Sequence, residues 1–424
     1  MIYATLAFFI ILLVRALTKK YWVGSIFLIV IYLLMLFFSI GWLEENPSLY
    51  RPTLVPSIVF CLMILLFFFP FFKTGKTLQL AGFSDELQKK RFVKIGYTIS
   101  IIIILMMIAI APAISNAFNL GLGDVRGDMY VGESEVFSGS FAERLGRYML
   151  KWMGNLCYPI LIMFFYSACF LRGYMLLKVL LFIASFSRVF YTMSIGSRSS
   201  VIYYLLFFGV CIILFYPYLS QRTRSLIFSF SSVFLAIIIG YFIYVSNLRT
   251  SNTGSDYLLR YAGQSYANFC DYYDNLNWHA YTLRRVLPLS SYLLGGKWSL
   301  SEYDIEVLKE TRMELGQFST MMGTILIDLG IIGLLVYSLI YNRIASYVMK
   351  AGFFDITQLL WLGIVIQVPL HGVFYYSFHT VEASAAIIMT LLIGHYFRRK
   401  SFPYEATIGL IAFLVFLLQV RAKY

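Results

Sequence analysis

The chain has 424 residues, of which 60% are hydrophobic, 18% aromatic and only 13% charged, with a mean hydropathy of +0.77. Such a balance excludes an ordinary soluble domain and points to an all-α polytopic membrane protein. The formal net charge of +13 suggests nucleic acid only until its placement is read, because the basic residues sit in short turns between apolar runs.

Apolar stretches near the roughly 20 residues needed to cross a bilayer recur along the chain. They lie at 2–17, 22–41, 54–72, 95–118, 149–170, 175–195, 201–219, 226–247, 320–341, 356–374, 379–397 and 405–421, which predicts about twelve helices. The first is short and lacks the basic n-region and small-residue cleavage site of a signal peptide, so it is expected to be retained. Arg15, Lys19 and Lys20 follow it. Lys73, Lys76, Lys89, Lys90, Arg91 and Lys94 surround spans three and four. The series continues with Arg222 and Arg224, Arg343 and Lys350, then Arg398, Arg399 and Lys400. Intervening connections are poor in Lys and Arg, and carry Glu44 with Glu45 and Glu133 with Glu135. Because Lys and Arg in short loops stay cytoplasmic, both termini and the segments 119–147 and 249–318 are expected outside. The five cysteines show no C-x-x-C spacing; Cys61, Cys157, Cys169 and Cys211 fall in spans, and Cys270 is alone in the outer segment.

Residues 249–318 form one long polar segment. It carries seven basic, eight acidic and twelve aromatic side chains, and no apolar run long enough to span. Loops longer than about 12–15 residues are usually functional or disordered, and the aromatics argue against disorder. Ser301 with Asp304 resembles a capping box before Ile305, Leu308 and Leu315, with Gly316 as a stop. Tyr257, Tyr261, Gln264 and Asn268 fall roughly on one helical face beside Arg260. The segment is therefore expected to be a small helical cap on the membrane surface. No linker or repeat divides the chain, so residues 1–424 are read as one transmembrane domain with 249–318 as its cap.

Candidate chemistry is sparse. Gly196-Ser197-Arg198-Ser199-Ser200 lies at the outer end between spans six and seven, where small residues let a ligand approach the backbone. Arg198 offers a fork of donors matched to phosphate. Arg188 lies about three helical turns earlier, and an ionisable residue inside a span is a functional candidate; the alternative is that both arginines snorkel to headgroups. Arg249, Arg260, Arg284, Arg285 and Arg312 form a second basic set in the outer segment. Each reads singly as a solvated charge, and together with Arg198 they could enclose a pyrophosphate. The tyrosines and tryptophans of the segment either pack at the interface or offer flat faces to sugars. His371, His379 and Glu382 straddle a weakened helix end at Pro369-Leu370-His371-Gly372, where a polar cavity could open. No metal-ligand spacing, D-x-D pair or phosphate loop is present, so no cofactor is expected.

This pattern resembles the Wzy-type oligosaccharide repeat-unit polymerases, relatives of the O-antigen ligases, over residues 150–345. The resemblance rests on Gly196-Ser197-Arg198 opening a span, on Arg249 and Arg260-Tyr261-Ala262-Gly263 in a long outer loop, and on Gly323 with Asp328-Leu329-Gly330-Ile331-Ile332-Gly333. It implies a GT-C-like, inverting, metal-independent glycosyltransferase in the bacterial inner membrane with its site facing the periplasm. Undecaprenyl-pyrophosphate-linked oligosaccharides would be donor and acceptor in the making of O-antigen or capsule. The lipid bilayer and a polysaccharide chain-length regulator are the other candidate partners, and nucleic acid is not one. Arg198 and Arg260 match the family's arginines by position. Arg188, Arg249, Arg284, Arg285, Tyr261, His371 and His379 are then candidates for substrate binding. The related ligases carry a histidine before the helix that follows the loop. Here that stretch reads Gly316-Gln317-Phe318-Ser319-Thr320, which favours polymerase over ligase and leaves Glu314 and His279 as candidate bases. A lipid-linked oligosaccharide flippase is the rival reading, disfavoured by the length of 249–318. A scaffold without catalysis leaves Arg198 unexplained.

Overall fold

The computed structural model describes residues 1–46, 50–72, 77–120, 140–195, 199–229, 255–276, 283–289, 300–311 and 318–398, with 232, 236 and 240 besides. These residues form helices and turns, with isolated bridges at Leu80–Phe354 and Thr320–Tyr375. In chain order the helices are α1 (Ile2–Thr18), α2 (Val23–Glu45), α3 (Leu54–Phe68), α4 (Glu86–Leu120), α5 (Phe141–Met153), α6 (Cys157–Phe170), α7 (Met175–Ala184), α8 (Ser187–Met193) and α9 (Ser199–Phe215). After them come α10 (Ser255–Asn275), α11 (Leu300–Thr311), α12 (Thr320–Met349), α13 (Ile356–His371) and α14 (Val381–Arg398). Among the described residues seven helical stretches are long and apolar enough to cross a membrane, and α1 and α13 are shorter apolar helices. The polytopic, all-helical architecture is thus present, with seven such stretches among the described residues against about twelve expected for the whole chain, and most of the expected span 226–247 lies outside the described residues. The apolar part of α14 is bounded by Glu382 at one end and His395 and Arg398 at the other. The expected span 405–421 lies outside the described residues.

Turns carrying basic residues gather at one end of the bundle. Phe354 and the 79–81 segment exchange backbone hydrogen bonds (Ala81 N to Phe354 O, 3.0 Å; Phe354 N to Gln79 O, 2.8 Å). Tyr218 donates to the Leu78 carbonyl at 2.8 Å, and Arg91 Nη1 donates to the Tyr396 carbonyl at 3.0 Å. A capping box starts α13 there: Asp355 accepts from Gln358 N, and the Gln358 side chain accepts from Asp355 N. Tyr3, Glu44, Tyr50, Asp274, Lys151 and Glu382 make their contacts at the opposite end.

Within the polar segment, α10 departs from the expected surface cap. This first helix of the segment packs inside the bundle, most extensively against α2 and also against α3 and α12. Hydroxyls on the neighbouring helices make this possible. Tyr266 is fully buried, its hydroxyl 2.9 Å from Thr5 Oγ1 and donating to Ser57 Oγ at 2.8 Å. Asn268 Nδ2 donates to the Phe318 carbonyl at 2.7 Å. At the helix end Asp274 accepts from the Tyr50 hydroxyl and, at 2.7 Å, from Thr53. Burial first, and then the Asp274 carboxylate, push the Tyr50 phenol up to about 12, so it remains a donor at physiological pH. Gly263 gives α10 its closest approach, since a Cβ there would lie 2.6 Å from the Phe38 carbonyl. Cys270, the lone cysteine of the expected outer segment, is 0% exposed. The second helix, α11, begins at Leu300, so Ser301 lies in its first turn rather than capping it.

Candidate functional site

Three interruptions of helical structure prepare a polar opening among otherwise apolar spans. A 3-10 turn over Gly154–Leu156 separates α5 from α6. A second break at Ser185 and Phe186 separates α7 from α8, and Ser187 Oγ joins the two by donating to the Gly154 carbonyl at 3.2 Å. The third is Pro369 in α13. Proline has no N–H for the carbonyl four residues back, so Val365 O needs another donor, and the Tyr341 hydroxyl supplies it at 2.9 Å. Tyr32 donates to the Pro369 carbonyl itself at 3.0 Å. These tyrosines let the helix end irregularly at His371 without leaving its carbonyls bare.

Around the interruptions lies a cavity of about 110 Å3. Asn155 and Tyr158 line it from the α5–α6 junction, Arg188 from α8, Ser200 and Tyr203 from α9, and Gln367 and His371 from α13. Tyr375, Ser377 and His379 close it from the turn between α13 and α14. His371 is 3% exposed, and its ring lies 5.2 Å from Tyr158 and 4.6 Å from Tyr203. Its Nε2 and the Asn155 Nδ2 are buried without a hydrogen-bond partner among the described residues. A buried polar group left that way costs about 1–3 kcal/mol, which favours a polar occupant of the cavity.

Charge surrounds this opening. Lys151 Nζ pairs with Glu382 at 3.0 Å, and Arg147 pairs with Glu143 one helical turn before it. Arg188 is half-buried with its guanidinium 5.4 Å from the Tyr191 ring centroid, and it belongs to none of the ion pairs found among the described residues. The His379 ring is held on one edge: its Nδ1 is 2.6 Å from the Tyr376 carbonyl. Tyr375 meets that ring edge-on at 4.6 Å and stacks on Phe318 from the far end of the polar segment. The same turn is pinned to the start of α12, where Ser319 N and Thr320 N both donate to Phe374 O at 3.1 and 2.8 Å.

The two adjacent arginines of the polar segment part company. Arg284 is partly exposed and pairs with Glu306 at 2.9 Å. Arg285 is 6% exposed, and its backbone N–H and that of Val286 both donate to Asp328 Oδ2 at 2.9 Å. Asp328 is 1% exposed and stands two residues before Gly330, whose φ of 66° and ψ of −175° kink α12. Only glycine adopts that backbone cheaply. The charges of Arg285, Arg188 and Glu382 all fall within electrostatic reach of His379.

Of the residues singled out from sequence, Arg188, His371 and His379 come together in this cavity, with Arg285 near it and Arg284 on the surface. Arg198, Arg249, His279 and Glu314 lie outside the described residues. Arg260 and Tyr261 are placed only as backbone of α10. Asn155, Gln367 and Lys151 were not anticipated. The signal for two of them was present, since Gly154 and Pro159 punctuate an apolar run around Asn155, and Lys151 is a charge within it.

The chain matches no family model, no curated protein and no solved structure.

Proposed function

We propose that the protein is a membrane glycosyltransferase that joins lipid-pyrophosphate-linked oligosaccharide repeat units into a polymer on the outer side of the bacterial inner membrane. The observation that carries this reading is Arg188, a guanidinium at a small polar cavity inside a bundle of apolar spans, outside every ion pair among the described residues. A cation in that position suits a ligand group that gains negative charge, and a departing pyrophosphate is such a group. At about 110 Å3 the opening is well below the roughly 300–1,000 Å3 of a pocket that engulfs a small molecule. It suits the reacting end of a long lipid-linked substrate whose remainder lies outside. Ser200, two residues after Arg198, lines it, which supports Arg198 as a second donor to the same phosphate.

In this reading a terminal hydroxyl of one repeat unit attacks the anomeric carbon of the lipid-linked glycan with inversion. Lipid pyrophosphate leaves, and arginines offset its developing charge in a partly dry site, where such stabilisation is strong. Arg260 is the proposed contact for the rest of the donor.

The test uses purified protein in detergent with lipid-linked repeat units and no sealed membrane. It should lengthen the glycan and release lipid pyrophosphate without nucleotide and in excess chelator. Products that never exceed one repeat unit, where a known polymerase elongates the same substrate, would favour a flippase instead.

A further inference from the structure

We infer that His379 takes the proton of the attacking hydroxyl. This rests on the proposed glycosyl transfer and assigns the base that the sequence leaves open. A carbonyl oxygen can only accept, so the 2.6 Å contact between His379 Nδ1 and the Tyr376 carbonyl requires a hydrogen on Nδ1. In the neutral ring the lone pair then lies on Nε2, at the opposite edge of a side chain that lines the cavity. The Tyr375 ring, itself stacked on Phe318, fixes the ring's tilt. Ring orientation and tautomer are thus set before substrate arrives, which is what proton abstraction from a positioned hydroxyl needs.

The other described groups at this end are less suited. The Glu382 carboxylate is held by Lys151 at 3.0 Å, and Asp328 is 1% exposed and accepts two backbone N–H groups. His371 is packed against Tyr158 and Tyr203 at 3% exposure, deeper than the half-buried His379. Charged and titratable groups that face His379 come from each neighbouring element: Arg188 on α8, Arg285 in the polar segment, Glu382 on α14 with its partner Lys151 on α5, and Tyr375 beside it.

The step balances as follows. The acceptor oxygen forms its bond to the anomeric carbon while its proton passes to His379 Nε2. The bond from that carbon to the phosphate oxygen breaks, and its electron pair leaves on the pyrophosphate beside Arg188. The ring returns the proton to solvent before the next turnover.

The experiment compares wild type with His379→Asn and His379→Gln in the detergent assay, following lipid pyrophosphate release from pH 3.5 to 9, a range that spans the His379 imidazole, which burial holds down to about 4. Asparagine places an amide donor where Nδ1 was, so it keeps the bond to Tyr376 and removes Nε2. Loss of a general base costs on the order of 10²–10⁴-fold. Both variants are expected to lose at least a hundredfold in kcat, with KM for the donor within about threefold and the acidic limb of the kcat profile gone. Added imidazole should restore part of the rate to His379→Gly. The assignment is overturned if folded His379→Asn turns over within about threefold of wild type, or if its residual activity keeps the acidic limb. A wild-type protein that lengthens no glycan would remove the transfer reading itself, whereas an active wild type with an indifferent His379→Asn removes only the base.

Discussion

The two polar regions of this bundle invert what their sequences suggest. The segment around α10 looks soluble, yet its helix is sealed among α2, α3 and α12, with Tyr266 and Cys270 fully buried and Tyr266 bonded to hydroxyls on α1 and α3. The spans α6 to α8 and α13 look apolar, yet the interruptions at and within them open a cavity that holds Arg188, His371 and His379. Where polar groups find fixed protein partners, the result is packing. Where helix breaks leave them without such partners, the result is a place for a ligand.

The strongest way to break this contrast is to prise α10 from α2. Gly263→Val would put a branched side chain where even a Cβ sits 2.6 Å from the Phe38 carbonyl and from Trp42 Cβ. Overpacking of this kind costs about 1–3 kcal/mol, occasionally more. The expected result is the largest fall in thermal midpoint, with little folded protein recovered in detergent. A valine variant as stable as wild type would mean that α10 is not packed where it is described.

A smaller effect is expected at the join between the regions. Asp328→Asn keeps the shape but loses the charge that accepts from Arg285 N and Val286 N. Hydrogen bonds to charged groups contribute about 1.5–3 kcal/mol, so a loss of about 1–2 kcal/mol is expected, read as a shift in the denaturation midpoint. Unchanged stability would show that Asp328 does not hold this loop.

Cys270 gives the gentlest test. With the other four cysteines replaced by serine, a membrane-impermeant maleimide should leave it unmodified in folded protein, whichever side of the membrane it faces. Denaturation should expose it. An Arg284→Cys variant, in a background that also lacks Cys270, should react because that position is partly exposed. Fast labelling of Cys270 in the folded state would restore the picture of α10 as a surface cap.

Much of this was legible beforehand. Apolar runs gave the helical spans, and Arg188, His371 and His379 stood out as ionisable groups in or beside them. The insertion of α10 was not legible, because a polar helix shows in its own sequence only what it carries. Its burial depends on Thr5, Ser57 and Thr53, hydroxyls hundreds of residues away that look incidental in apolar runs. Asn155 escaped for a related reason: in a run of hydrophobic residues the break at Gly154–Leu156 leaves only a faint mark, and its meaning appears once Ser187 and Arg188 pack against it.

The most direct measurement on the central claim compares Arg188→Ala and Arg188→Lys with wild type in the detergent polymerisation assay, after matching their thermal midpoints. Loss of one charge-stabilising donor costs on the order of a hundredfold or more in rate. Alanine should therefore lose at least that much glycan lengthening, and lysine, which keeps the charge without the guanidinium fork, should recover only part of it. Folded Arg188→Ala making polymer at the wild-type rate would contradict the account.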